Sequence, residues 1–274
     1  MELLATGFQA LEGPTVDDDG ALLFSDLRGG GVHRLARDGA VDVVVPERKA
    51  IGGICLHADG GLVLSGPDLC HARGPCRRTL LGLADIAERP GRVVVGFNDI
   101  AADPGGRLFA GVLRHDEVGE RVPGELLWVS AEREHVVVHD DVHPNGIGVS
   151  PDGSRLYVAD TFGRRLLVFR LADHEPVSEI STAGVDGFPD GLAIDAEGCL
   201  WVAFYGGSCV VRFAPDGRIL RRLPVPALKP LSVCLAGSAL YIVTATREPG
   251  SDETGSVYRM AVDVPPAPLH RVRI

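Results

Sequence analysis

A short hairpin pattern occurs six times along this chain, and no other feature restricts its fold so severely. The clearest copy is Gly187 to Ala203, GFPDGLAIDAEGCLWVA. Gly191-Leu192-Ala193-Ile194-Asp195 reads as one strand, Ala196-Glu197-Gly198 as a turn, and Cys199-Leu200-Trp201-Val202-Ala203 as a second strand. Short apolar, β-branched and aromatic runs bounded by Gly, Pro and Asp are strand signals. Aligned on the turn, the copies open at Glu12 (EGPTVDDDGALLF), Gly52 (GGICLHADGGLVL) and Asn98 (NDIAADPGGRLFA). They continue at Asn145 (NGIGVSPDGSRLYVA), Asp190 (DGLAIDAEGCLWVA) and Leu231 (LSVCLAGSALYIV). Successive openers are 40, 46, 47, 45 and 41 residues apart, and in the first five copies a Gly follows the opener by eight. A period of about 40–50 residues holding several short strands marks a β-propeller. Six copies predict an all-β, six-bladed propeller, read as one domain over residues 1–274.

A ring of blades has to close, since an open ring leaves unpaired strand edges. The stretch Met1–Phe8 precedes the first copy, so Glu2–Thr6 is expected as the outer strand of the sixth blade. Thirty-five Gly and 19 Pro suit a chain of many strands and turns. The Pro-rich stretch from Val264 to Leu269 is expected to be extended and surface-bound. A net charge of −10 argues against nucleic acid or an anionic membrane as partner. No apolar run is long enough to span a bilayer, and the N-terminus lacks the basic start and apolar stretch of a secretion signal. The expectation is a cytoplasmic protein acting on a small molecule, with its oligomeric state left open. The six cysteines are read as free, mostly buried thiols.

In a propeller the innermost strand of each blade begins beside the central channel, so the six openers should face one another. Four carry oxygen: Glu12, Asn98, Asn145 and Asp190. Two carboxylates and two amide carbonyls converging on an axis are costly to desolvate unpaired. A divalent cation resolves that cost, and all-oxygen ligation favours Ca²⁺, with Mg²⁺, Mn²⁺ and Zn²⁺ as alternatives. Asn-Gly and Asp-Gly are also ordinary turn pairs, so the competing reading is that each residue caps a strand start.

Taken together, LEGPTV, FNDIAADPGGRLFAG, PNGIGVSPDGSRLYVAD and FPDGLAIDAEGCLWVAFYGG resemble the senescence marker protein (regucalcin), gluconolactonase and luciferin-regenerating enzyme family. The resemblance spans nearly the whole chain. It implies a six-bladed propeller with one divalent metal at the channel mouth and hydrolysis of a lactone. By motif it implies Glu12, Asn145 and Asp190 as direct ligands, Asp190 also as catalytic base, and Asn98 as a group binding water or substrate. Asp99 keeps the family's Asn-Asp pair, and Asp116 falls near a carboxylate used for substrate contact. One departure is plain: many sugar lactonases of the family carry Arg two residues before the third-blade Asn, where this chain has Gly96.

Phe97, Phe162, Tyr205 and Leu231 are expected to make the pocket more apolar than a sugar site. His143 and His115 lie in segments expected at the mouth, as acid, base, extra ligand or exposed imidazole. Two long loops, Arg114–Gly124 and Arg247–Gly255, are expected on the same face, with Arg114 and Arg247 as possible partners of a substrate carboxylate. The favoured function is a metal-dependent lactonase. The alternatives are another metal-dependent propeller enzyme (an isomerase, a cyclase or an esterase of a less polar substrate) and a non-catalytic propeller that binds a ligand or a partner.

Overall fold

The computed structural model describes residues 1–132, 134–248 and 254–274. Its strands form six four-stranded antiparallel sheets in ring order, each expected copy supplying the inner hairpin of one blade. The chain enters through β1 (Glu2–Phe8). Blade one is β2 (Leu11–Val16), β3 (Leu22–Asp26), β4 (Val32–Leu35) and β5 (Val41–Val45). Blade two is β6 (Ile54–Leu56), β7 (Leu62–Leu64), β8 (Asp68–Arg73) and β9 (Cys76–Gly82), followed by a single 3-10 turn, Leu83–Asp85. Blade three is β10 (Val93–Ala102), β11 (Leu108–His115), β12 (Arg121–Val129) and β13 (His135–Val142). Blade four is β14 (Pro144–Val149), β15 (Arg155–Asp160), β16 (Arg165–Arg170) and β17 (Pro176–Ser181). Blade five is β18 (Phe188–Ile194), β19 (Leu200–Tyr205), β20 (Cys209–Phe213) and β21 (Ile219–Pro224). Blade six is β22 (Pro230–Ala236), β23 (Ala239–Thr244) and β24 (Gly255–Ala261), completed by β1.

The closure strand runs from Glu2↔Arg259 to Phe8↔Gly255, two residues beyond the expected Thr6. Burial is concentrated near the axis and fades outward. Every residue of β3 is buried, whereas the outermost β5, β17 and β21 each bury only one. The core therefore lies between neighbouring sheets, where Phe109, Leu126, Phe169 and Trp201 are sealed from water. Cys55, Cys70, Cys199 and Cys234 are buried thiols, Cys209 is partly buried and Cys76 is exposed; all six are free.

Two expectations need correction. Arg114–Gly124 is mostly strand: β11 and β12 pair as far as His115↔Arg121, leaving only 116–120 as the turn. Arg114 itself is 1% exposed, its Nε on both oxygens of Glu125 at 2.9 and 2.8 Å, so it braces blade three and cannot meet a substrate. The second long loop, Arg247–Gly255, lies partly outside the described residues, which stop at 248 and resume at 254.

The C-terminal stretch is extended, as expected, but it ends in the core. Ala267 N–H donates to the Ile194 carbonyl of blade five and Val272 N–H to the Leu56 carbonyl of blade two. These blades stand opposite each other, so the chain crosses the rear of the channel between them. Val272 is fully buried and Ile274 nearly so, among the apolar side chains of blades two and three. No helix among the described residues is long and apolar enough to cross a membrane.

Candidate active site at the channel mouth

The openers are aimed by β-bulges, a device the repeat pattern did not reveal. In β10 the register jumps from Phe97↔Val112 to Ile100↔Ala110, so Asn98 and Asp99 together oppose one residue. In β14 it jumps from Pro144↔Asp160 to Ile147↔Val158 around Asn145-Gly146, and in β18 from Pro189↔Phe204 to Leu192↔Val202 around Asp190-Gly191. The strand of blade one slips just after Glu12. A bulge bends its strand and re-aims the side chains it carries. Gly146 permits the close approach that follows: a Cβ there would lie 2.4 Å from the Leu192 nitrogen. The preceding segments are pinned by aspartates at the ends of second strands. Asp26 accepts from the N–H groups of Gln9 and Ala10 ahead of Glu12, and Asp160 accepts from the His143 N–H ahead of Asn145.

Three carboxylates share this space. Burial, then the negative charges of Asp190 and Asp99, hold the Glu12 carboxyl well above the ordinary range. Burial and Asp99 do the same to Asp190, opposed by the Arg121 charge and by a hydrogen bond with Asn145. Burial pushes Asp99 up to about 7. Asp99 retains some exposure because it lines the channel, yet protein surrounds it. Asn98 donates through Nδ2 to the Pro144 carbonyl at 3.0 Å, which ties it to the strand carrying Asn145. The Oδ1 of Asp190 is buried and has no hydrogen-bond partner. An orphaned buried carboxylate oxygen beside a second carboxylate and an amide is a donor set that suits a divalent cation.

Around this centre the mouth is uneven. His143, partly buried, sets its ring edge-on to Phe162 with centroids 4.9 Å apart, and Phe162 meets Phe188 at 5.6 Å. Burial pulls the His143 imidazole below its usual range, with Asp160 acting against that shift. Phe162 and Tyr205 are exposed on blades four and five, and the Lys229 ammonium lies 5.7 Å from the Tyr205 ring centroid. Phe188 was missed from the sequence. The available signal was its place two residues before Asp190, matching His143 before Asn145.

The remaining expected site residues stand apart from this centre, in the core or at the end of the blade-three hairpin. Phe97 is 1% exposed and packs into the core of blades two and three, so it presents no ring to a ligand, a correction to its expected pocket role. Leu231 is buried against Ala10 and Ala245. His115 ends β11, opposite Val93 and Arg121, while Asp116 accepts the Val118 and Glu120 N–H groups and so holds its own turn.

Two further features lie away from the mouth. A cavity of about 1300 Å³ takes in the channel and its rear opening. It meets the opener ring at Gly13, Asp99 and Ser232, the residues that follow three of the openers, and its walls are mostly apolar. Asp195, Glu197 and Cys199 gather their potential ligand atoms in the β18–β19 turn. The Asp195 carboxylate is already saturated by the Glu197, Cys199, Trp201 and Arg212 N–H groups, so this group is a braced turn.

A family model described as SMP-30/Gluconolactonase/LRE-like region matches residues 11–246. A pentonolactonase of Haloferax volcanii is 34% identical over 262 residues, 89% of this chain and 83% of that protein. The 6-deoxy-6-sulfogluconolactonase of Pseudomonas putida is 34% identical over 265 residues, 89% of this chain and 88% of that protein. A luciferin-regenerating enzyme structure superposes with a TM-score of 0.84 at 21% identity, covering 99% of this chain and 97% of that one. A calcium-binding regucalcin from Agrobacterium tumefaciens gives 0.82 at 23% identity, covering 99% and 96%. These two likenesses concern the fold.

Proposed function

The chain belongs to the SMP-30/gluconolactonase/LRE-like family, and on that premise we propose that it is a lactonase whose site is the mouth of the channel. The propeller acts as one domain, in the cytoplasm, on a small lactone. The observation that carries this reading is the meeting of Glu12, Asp190 and Asn145, with Asp190 Oδ1 left unpartnered in the interior. Named lactonases among the relatives support it.

Glu12, Asn145 and Asp190 would hold one divalent cation, calcium before zinc, magnesium or manganese. When bound, the ion supplies Lewis acidity toward the lactone carbonyl. The protein's own groups do the rest. Asp190 accepts a proton from the attacking water as its oxygen bonds to the carbonyl carbon. The ring C–O bond then breaks, the same proton passes to the departing alkoxide, and a hydroxy acid leaves. Asn98, fixed by the Pro144 carbonyl, offers its free Oδ1 to the water or to a substrate hydroxyl. Asp99 keeps the floor of the site polar, while Phe162, Tyr205 and His143 wall the side of blades four and five. His115 and Asp116 border the substrate from the blade-three hairpin.

Hydrolysis of a lactone panel, followed by acid release with and without a chelator, tests the reading. Wild type should hydrolyse at least one sugar lactone, lose that activity with chelator and regain it with calcium. An Asp190→Asn protein should be slower by about a thousandfold or more. Activity indifferent to both chelator and Asp190→Asn would overturn the assignment.

A further inference from the structure

Resting on the lactonase reading, we propose that the substrate carries an apolar group remote from its lactone carbonyl, and that Phe162, on the side of blades four and five, recognises it. The class is a sugar-sized lactone whose far carbon bears an alkyl or aryl group in place of a hydroxymethyl or an acid.

The position two residues before each opener forms the lip of the mouth. In blade order it holds Ala10, Ala50, Gly96, His143, Phe188 and Lys229. Small residues on blades one to three thus stand across from two rings and an ammonium on blades four to six. Extended chain rises about 3.3 Å per residue, so the lip is rooted about 7 Å above the openers. That is the level of the far end of a lactone whose carbonyl sits at the openers.

The exposed aromatic surface is confined to the same side. Among the described residues, Phe162 and Tyr205 are the aromatic side chains left exposed, at 48% and 39%. Phe162 follows the second strand of blade four and Tyr205 ends that of blade five, both on the mouth face. Exposed aliphatic residues such as Val43, Val177 and Leu220 lie instead on outermost strands. Single exposed apolar residues are ordinary. Two aromatic ones gathered on one side of a polar centre call for a ligand.

The Phe162 ring is also held in place. The Thr161 N–H donates to the His143 carbonyl at 3.1 Å and the His143 N–H to Asp160 at 3.0 Å, which locks the loop to the segment leading into Asn145. The ring then bridges His143 and Phe188, and so spans the entries to the strands that carry Asn145 and Asp190. Behind it the Arg164 guanidinium lies 5.5 Å from the Phe188 centroid and donates to the Val185 carbonyl at 2.8 Å. A surface ordered by its own neighbours loses little entropy when a ligand arrives. A hydroxyl set against the Phe162 ring is stripped of water with no hydrogen-bond partner there, whereas an alkyl or aryl group gains contact at no such cost.

The test compares five-membered lactones that differ only in the group on the carbon bearing the ring oxygen: hydroxymethyl, carboxylate, methyl or phenyl. The methyl and phenyl lactones should show kcat/KM about tenfold or more above the hydroxymethyl one. Phe162→Ala should cut that preference by about tenfold, and Phe162→Leu should restore part of it. A preference for the carboxylate would assign this side to the cations Arg164 and Lys229 and overturn the proposal. Equal loss for every lactone in Phe162→Ala, or no preference in wild type, overturns it as well. If no lactone is hydrolysed, the lactonase reading falls, and the contact is read by calorimetric titration of the phenyl lactone into the calcium-treated protein. Binding weakened about tenfold in Phe162→Ala supports recognition, and no binding or equal binding overturns it.

Discussion

Asp99 is the residue whose surroundings give the sharpest consequence. Its carboxyl is pushed up to about 7 in the folded protein, mainly by burial, whereas an unfolded aspartate titrates near ~3.9. Between those values the native state holds a proton that the unfolded chain has lost. This contribution to stability is therefore complete below about pH 4 and is lost as pH rises through about 7. Glu12 and Asp190 are shifted the same way. Urea denaturation of calcium-free protein from pH 5 to pH 8 should show stability falling with pH. Asp99→Asn should flatten that fall and gain about 2 kcal/mol at pH 8. A calcium-free protein that grows more stable across this window would contradict the shared burial of the three carboxylates. At Arg114 the expectation concerns folding: Arg114→Met removes one of the two guanidinium partners of buried Glu125, Arg89 remaining, strips the donors from the Ala87 and Arg92 carbonyls, and should cost about 3 kcal/mol in the same assay. The openers Glu12, Asn98, Asn145 and Asp190 were readable because each carries its own chemistry at one repeat position. Phe97 was misread because a residue beside an opener can face either the channel or the next sheet, and sequence spacing cannot distinguish the two.

Among the elements, the inner hairpins were legible and the bulges were not. Alternating apolar runs with a shared turn Gly specify a strand pair, but a two-for-one register slip leaves no mark beyond a small residue such as Gly146 or Gly191. The blade-three hairpin was hidden for a related reason: Asp116 to Gly124 is polar and Gly-containing, so cross-strand pairing overrode a loop-like composition. Gly146→Ala tests the bulge geometry. Its Cβ would meet the Leu192 nitrogen at 2.4 Å and the Asp190 carbonyl oxygen at 2.7 Å, forcing β14 from β18. The expected result is a loss of about 3 kcal/mol and a calcium affinity at least about tenfold weaker. Gly184→Ala, where a Cβ meets nothing within 4 Å, should leave both unchanged. Equal behaviour of the two variants would mean that the strand approach does not shape the site.

For the whole molecule, the count of blades and the closing strand followed from periodicity and from the cost of an open edge. The path of the last residues did not, because a stretch that crosses from blade five to blade two carries no repeat to betray it. Deleting residues 1–8 exposes the β24 edge and should lower Tm by about 8 °C or more in calorimetry, with association visible by light scattering. A truncated protein that melts like the full chain would show that closure adds little. The central claim is that the ring brings Glu12, Asn145 and Asp190 to one ion. Calorimetric titration of calcium into chelator-stripped protein measures it most directly. One site per chain is expected, weakened about a hundredfold or more in folded Glu12→Gln, Asn145→Ala and Asp190→Asn proteins. A wild-type protein that takes up no divalent cation, or an Asp190→Asn protein that binds calcium as tightly as wild type, would contradict it.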